Sequence, residues 1–404
     1  MPKWAHRLSK CAVALAITFG VLGSWDHCPA LADSTGTDAD HKKALEALPE
    51  QIRPFYDGYW YFATVGPNPY VNWQPPKGPW QFCYNDSYQG NSWRAEALDE
   101  FKKLVDQYAK AGLAKPDPII TNSNNNIDVQ LSQLNNMVRQ GCNVILSIPS
   151  SPTGLCSGVK DAFDKGVLFI SVESPVTCPE AINVDFNEYY GGLRTAEWLA
   201  QAINGKGNVI MINGIPGLAP TVARRQAALD ALKKHPDIHI LGEVNGMWTP
   251  SVGKSEMLKF LATHPQPVDG VWDSGLDGVA AGQALVQSGR PLAKINGFVG
   301  DCSFLAFWKK NNMNTFSLSQ GAAPAVYEAF LVAARMLHGQ QPVVNTLLYP
   351  LPEITDANLD QWYKPDMTEQ SNCFANSPDG RAVADSYFDP LFTGGTAPSP
   401  APVP

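Results

Sequence analysis

Between Pro79 and Gln320 short apolar runs alternate with polar loops and with stretches whose apolar residues recur at helical spacing. Strands are predicted at Trp80 to Tyr84, Pro118 to Thr121, Val144 to Ile148, Leu168 to Val172, Asn208 to Ile212, Ile238 to Val244, Gly270 to Trp272, Ile295 to Val299 and Thr315 to Leu318. Helices are predicted between them, for example over Ala95 to Ala111 and over Val129 to Gln140, the second with Leu131, Leu134 and Val138 on one face. Near-continuous apolar strands separated by helices imply an α/β fold of doubly wound parallel sheets covered on both faces. Ligands of such sheets sit at the carboxyl ends of the strands, so the chemistry is sought in the loops that follow each strand.

The pattern breaks at both ends. Lys3, Arg7 and Lys10 precede an apolar run from Cys11 to Gly23, and Ala30, Leu31 and Ala32 form an A-x-A site before Asp33, which together predict a cleaved export signal over 1–32. The run is shorter than the about 20 residues of a membrane span, and no later segment qualifies. Residues 33–78 form an aromatic and Pro-rich extension with one short helical stretch around Lys42 to Leu48 and with Phe55, Tyr56, Tyr59, Trp60, Tyr61, Tyr70 and Trp73; so many rings predict an arm laid on the main body rather than plain disorder. The segment 371–404 reads as a C-terminal tail, flexible from Gly394 onward, where Gly, Pro, Ser and Ala carry no apolar period.

Composition narrows the function classes. A chain of 404 residues that is 44% hydrophobic can bury a large core, and its net charge of −8, with no basic stripe, speaks against nucleic-acid binding. Beyond the signal six cysteines remain: Cys83, Cys142, Cys156, Cys178, Cys302 and Cys373. Export permits disulfides; Cys156 and Cys178 follow neighbouring strands and are expected to pair, with Cys302 and Cys373 as a second pair, whereas Cys83 and Cys142 read as buried inert thiols. No CxxC or Cys/His cluster predicts a metal site, and no cofactor is implied. G-x-S-x-G, P-loop and H-E-x-x-H motifs are all missing, and none of the seven histidines falls near the loops of interest. His235 and His239 could form a metal pair or lie on the surface.

The loop after the first strand, Asn85 to Arg94, places amides, hydroxyls, the Trp93 indole and the Arg94 guanidinium at a helix start. Such a set suits a polyol, whose hydroxyls need donors and acceptors while the C–H face of a sugar ring stacks on an aromatic plane. It equally fits an N-cap followed by a core Trp. Later loops add Asn124, Asn125, Asn126 and Gln130, then Ser150 and Ser151, then Glu173 and Ser174, with Asp185 near a crossover.

This order of loops, over roughly Pro79 to Pro350, resembles the periplasmic sugar-binding proteins of the ribose and galactofuranose type, the receptors of ABC importers. The resemblance implies that Asn91, Trp93 and Arg94 in the first loop and Glu173 after the fourth strand contact ligand. Ser174 stands where the family usually has an Arg, which removes a bidentate donor. In the second half the family's ligand Arg aligns with Arg225, its aromatic wall with Trp248, its polar contact with Asp277, its hinge-side carboxylate with Asp301 and its crossover Gln with Gln320. Asp277 fits a helix N-cap equally well.

The resemblance further implies two lobes, 79–185 plus 321–348 and 186–320 plus 349–370, joined by a three-segment hinge near Asp185, Gln320 and Tyr349. The expected activity is capture rather than chemistry: a monomeric, periplasmic receptor closes on a sugar or polyol and delivers it to an ABC permease of the inner membrane. The alternatives are a receptor for a chemotaxis or sensor-kinase system, and a non-sugar ligand such as a nucleoside. A repressor of the same fold would need a helix-turn-helix where this chain has its export signal.

Overall fold

A computed structural model describes residues 38–59, 65–375 and 381–394. The expected export signal and the stretch from 395 to the end lie outside these residues. After helix α1 (Asp38–Ala47) the chain alternates β1 (Phe82–Asp86), α2 (Ser92–Lys110), β2 (Ile119–Asn122), α3 (Ile127–Arg139), β3 (Val144–Ile148), α4 (Cys156–Asp164), β4 (Leu168–Val172) and β5 (Ile182–Asp185). It continues with α5 (Glu188–Ala202), β6 (Lys206–Asn213), α6 (Ala219–Leu232), β7 (Asp237–Asn245), α7 (Pro250–Thr263), β8 (Gly270–Asp273), α8 (Gly278–Gln287), β9 (Lys294–Ile295), α9 (Cys302–Lys310) and β10 (Phe316–Leu318). The last elements are α10 (Ala322–Leu337), β11 (Gln341–Pro342), β12 (Thr346–Leu348), β13 (Glu353–Thr355), α11 (Leu359–Trp362) and β14 (Phe392–Thr393).

Two parallel sheets organise these elements. The first runs β12-β5-β4-β3-β1-β2 and the second β7-β6-β8-β9. Every residue of β1, β3, β4 and β5 is buried, which is why β3 and β4 read as near-continuous apolar runs. Asn91, Asn126, Asn187 and Asp301 cap α2, α3, α5 and α9, each side chain accepting the N–H three residues on; the caps fix where each strand-to-helix loop turns.

The strand expected at Ile295 to Val299 is only Lys294–Ile295. Asn296 ends it: its Oδ1 accepts from Asp273 N and its Nδ2 donates to Asp273 O, so a side chain takes over the ladder. Strands β5 and β12 were not anticipated; both are short and buried, too brief to stand out by periodicity.

The chain passes between the two lobes at 185–188, 318–322 and 348–353. Beyond the third, Leu359, Trp362, Tyr363, Met367 and Ala375 pack with the second core, whereas Phe374, Phe388, Leu391 and Phe392 join the first. The reading of 371–404 as a tail therefore needs correction over 381–394. Phe388 and Leu391 are fully buried, β14 pairs with β11, and Arg335 of α10 holds Asp389 at 2.6 Å.

The described part of the aromatic arm lies on the body, Trp60 and Tyr61 falling outside the described residues. Tyr56 donates to Thr346 O and accepts from Leu348 N, Tyr59 donates to Asp185 Oδ2, and Tyr70 accepts from Phe169 N. Three disulfides link Cys83 to Cys142, Cys156 to Cys178 and Cys302 to Cys373. The last two are the expected pairs; the reading of Cys83 and Cys142 as free thiols is overturned. Cys83 lies in β1 and Cys142 just ahead of the adjacent β3, which brings their Cα atoms to 6.1 Å, within bridging reach.

Candidate functional site

The carboxyl ends of both sheets face a half-open cavity with about 440 Å³ of empty space, the solvent at its mouth included, lined by Asn91, Trp93, Arg94, Ile148, Glu173, Pro220, Arg224, Trp248, Gly275, Leu276, Val299 and Gln320. Six of the nine residues singled out from sequence meet there: Asn91, Trp93, Arg94, Glu173, Trp248 and Gln320. Arg225, Asp277 and Asp301 do not.

Lobe 1 builds its side from two loops. Asn91 Oδ1 accepts from Arg94 N at 3.0 Å, which starts α2 and directs the next turn inward. Arg94 Nη1 then holds Asp86 Oδ1 at 2.7 Å, and its guanidinium lies 5.6 Å from the Trp93 ring. Burial raises the Asp86 carboxyl above its usual range although Arg94 pulls it down. Trp93 Nε1 donates to Gln320 O at 3.1 Å, tying the first loop to the second crossover.

Glu173 leaves β4 with φ of 46°, in the left-handed region that a residue with a side chain occupies at a cost. That turn aims its carboxyl at two donors: Tyr349 Oη donates to Oε1 at 2.5 Å and Gln320 Nε2 donates to Oε2. Burial, reinforced by the Glu188 charge, pushes Glu173 up to about 7 despite these bonds.

In lobe 2 the cavity-facing arginine is Arg224, not Arg225. Pro220 and Arg224 stand four residues apart on α6 and so share one face; Arg225, a further step around the helix, points to β7, where it pairs with Glu243 Oε1 and Oε2 at 2.6 Å and is 42% exposed. Arg224 is buried. It donates to both Glu188 oxygens (2.5 and 3.1 Å), to Ser274 O (2.7 Å) and to Gln320 Oε1 (2.6 Å), and its guanidinium stacks 3.9 Å from the Phe298 ring. The sequence showed two adjacent arginines and no contrast between them. Glu188 was missed outright, since a Glu at a helix start resembles any other first-turn acid. Burial raises its carboxyl, with Arg224 opposing.

Trp248 also has a left-handed backbone, φ 49°. Its Nε1 donates to Ser274 O and Oγ at 3.3 and 3.2 Å. The indole is sandwiched so closely that a Cβ on Gly214 or Gly275 would fall 2.1 or 2.2 Å from it.

The two remaining carboxylates turn away. Asp301 caps α9, accepting from Phe304 N (2.9 Å) and Ser303 Oγ (2.5 Å), and burial lifts it to about 6. Asp277 occupies the N-cap position of α8 without capping through its side chain; its oxygens lie against Gly246 and Gly253, and burial with the nearby Asp273 and Asp301 charges holds it well above the carboxylate range. Ser174, which stands in place of an arginine, donates to Pro149 O. Among the described residues no cluster of three His, Cys, Asp or Glu could hold a metal, and no helix is long and apolar enough to cross a membrane.

The chain is similar to known proteins in family and in fold. A family model described as a periplasmic binding protein domain matches residues 86–341. A xylitol-binding protein of Mycolicibacterium smegmatis is 27% identical over 275 residues, 68% of this chain and 78% of the relative. A D-xylose-binding periplasmic protein of Escherichia coli is 24% identical over 262 residues, 62% and 78% of the two chains. Among solved structures, an ABC transporter solute binding protein from Thermobispora bispora superposes with TM-score 0.66 at 24% identity, covering 73% of this chain and 90% of that one.

Proposed function

This chain belongs to the periplasmic binding protein domain family, whose members are solute-binding proteins rather than enzymes, and from that premise we propose that it captures a neutral sugar or polyol between its lobes and presents it to an ABC permease. The observation that carries this reading is the cavity itself. Two indoles, Trp93 and Trp248, stand in it one from each lobe, beside the acceptor Glu173 and the donors Arg94 and Asn91, the complement of a small molecule that is polar at its hydroxyls and apolar on its C–H faces. The names of its relatives, a xylitol-binding and a D-xylose-binding protein, favour the same ligand class.

Closure follows from differential affinity. A ligand bonded from both lobes stabilises the arrangement in which the lobes meet, and the three crossovers absorb the motion. Asn91, Trp93, Arg94, Glu173, Arg224, Trp248 and Gln320 are the ligand contacts in this proposal; Arg225, Asp277 and Asp301 are left out of it. The mature chain acts as a monomer outside the cytoplasm after removal of residues 1–32. Thermal-shift screening of sugars and polyols, followed by calorimetric titration and small-angle scattering of the complex, tests the proposal. Binding with a smaller radius of gyration is the expected result; no binding by any member of the panel would sink it.

A further inference from the structure

The hydrogen-bonding capacity left in the cavity lies almost entirely on lobe 1. Arg94 spends one of its five N–H groups on Asp86. Asn91 uses its amide oxygen to cap α2, which leaves the amide N–H groups. Each Glu173 oxygen accepts one bond from a hinge residue and retains room for another.

The lobe 2 wall differs in kind. Pro220, Gly275, Leu276 and Val299 line it with the Trp248 ring, and the Trp248 N–H is already given to Ser274. Arg224, its one charged group, spends four of its five N–H groups on Glu188, Ser274 and Gln320, which leaves a single Nη1 N–H. The Asp277 and Asp301 carboxylates, which could have offered acceptors, point elsewhere. A ligand hydroxyl pressed against the Leu276, Val299 and indole part of this wall would be buried without a side-chain partner, whereas a C–H or methyl group would pack there.

We propose that the preferred ligand is a deoxy sugar or deoxy polyol, whose missing hydroxyl faces the Pro220, Trp248, Leu276 and Val299 wall while its remaining hydroxyls bond Arg94, Asn91 and Glu173. The inference rests on the sugar-receptor reading and narrows its substrate class.

Calorimetric titration of the purified mature protein with matched pairs differing by one hydroxyl tests it: L-fucose with L-galactose, L-rhamnose with L-mannose, 6-deoxy-D-glucose with D-glucose, and 2-deoxy-D-ribose with D-ribose. In at least one pair the deoxy member binds about tenfold tighter or more. Leu276→Asn, which supplies a partner on the wall, then erases that preference; Val299→Thr serves the same purpose if the first variant melts early. A parent sugar that binds as well as or better than its deoxy partner in every pair overturns the inference and leaves the receptor reading standing. A folded wall variant that keeps the full deoxy preference overturns it too. Failure of every sugar and polyol to bind overturns both.

Discussion

Arg224 of lobe 2 and Glu173 of lobe 1 are joined through one amide: Arg224 Nη2 donates to Gln320 Oε1 over 2.6 Å, and Gln320 Nε2 donates to the Glu173 carboxylate. Gln320 lies on the second crossover. Tyr349 on the third also donates to Glu173, and Glu188, just past the first, accepts from Arg224. One network therefore visits all three connections between the lobes, and the residues that frame the ligand cavity are the same ones that feel the hinge move.

Arg224→Ala should weaken ligand binding by about 1.5–3 kcal/mol and also lower stability by about 3 kcal/mol, because it strands the buried Glu188. Arg225→Ala removes a half-exposed pair with Glu243 and should change either quantity by about 0.5 kcal/mol at most. Titration and melting curves of the two variants side by side check this; equal effects would put α6 in the wrong register.

Stability should fall as pH rises from 5 to 8. Glu173, Asp273, Asp301 and Glu328 are raised by burial to about 7, 7, 6 and 8, so between the ordinary carboxylate range and those values the folded state holds more protons than the unfolded one. Stability is thus fully present below the unfolded values and is lost as pH climbs through the folded ones. For Glu173 alone the shift from 4.5 amounts to about 3 kcal/mol. A ligand hydroxyl that donates to ionised Glu173 has the opposite dependence, so affinity should rise from pH 5.5 to 8, and Glu173→Gln should flatten that rise. Melting temperatures and titrations across this range read both slopes.

Much of this fold was legible because its signal is periodic. Val144–Ile148 and Leu168–Val172 are buried on both faces and were read to the residue. Lys294–Ile295 was overextended because a side-chain ladder by Asn296 has no hydrophobic signature. Within the site, Trp93, Glu173 and Trp248 were named through the family resemblance, and all three line the cavity. Arg224 was confused with Arg225 because the choice depends on helix phase, about 100° per residue, which a single sequence fixes poorly when both neighbours are arginine. The packing of 381–394 was hidden among Pro, Gly and Ser, although Phe388, Leu391 and Phe392 supply what holds it.

Loss of the Cys83–Cys142 bridge should be measurable. It closes a loop of sequence separation 59 between adjacent strands of the first sheet, and Cys83→Ser with Cys142→Ser should cost about 2–5 kcal/mol. Peptide mapping without reductant should recover both residues in one cross-linked fragment. Two free thiols in the untreated protein would refute the pairing.

A chain ending at Ala375 should fold less stably. Removal of 381–394 uncovers the Phe388 and Leu391 sites, each worth about 1.5–3 kcal/mol of burial, and leaves Arg335 without Asp389 and Glu328 without the Ala382 and Val383 N–H groups. A fall in melting temperature of about 10 °C is expected. A chain ending at Gly394 should melt as the full-length protein does, which separates the packed strap from the residues beyond it.

The last prediction concerns the seat of Trp248. Its indole fits between Gly214 and Gly275 with no room for a Cβ on either, and its left-handed backbone puts the ring there at a local cost. Gly275→Ala should therefore displace the ring and weaken ligand binding by about 1.5–3 kcal/mol, as Trp248→Gly should by deleting it. Glycine also relieves the left-handed backbone, so Trp248→Gly should lose less stability than binding. The two changes act on one contact and should not add: Gly275→Ala introduced into Trp248→Gly should leave affinity where it was. A four-corner cycle of titrations, each with a ligand-free melt, decides the matter. Full additivity would mean that Gly275 serves the cavity by some route other than the indole.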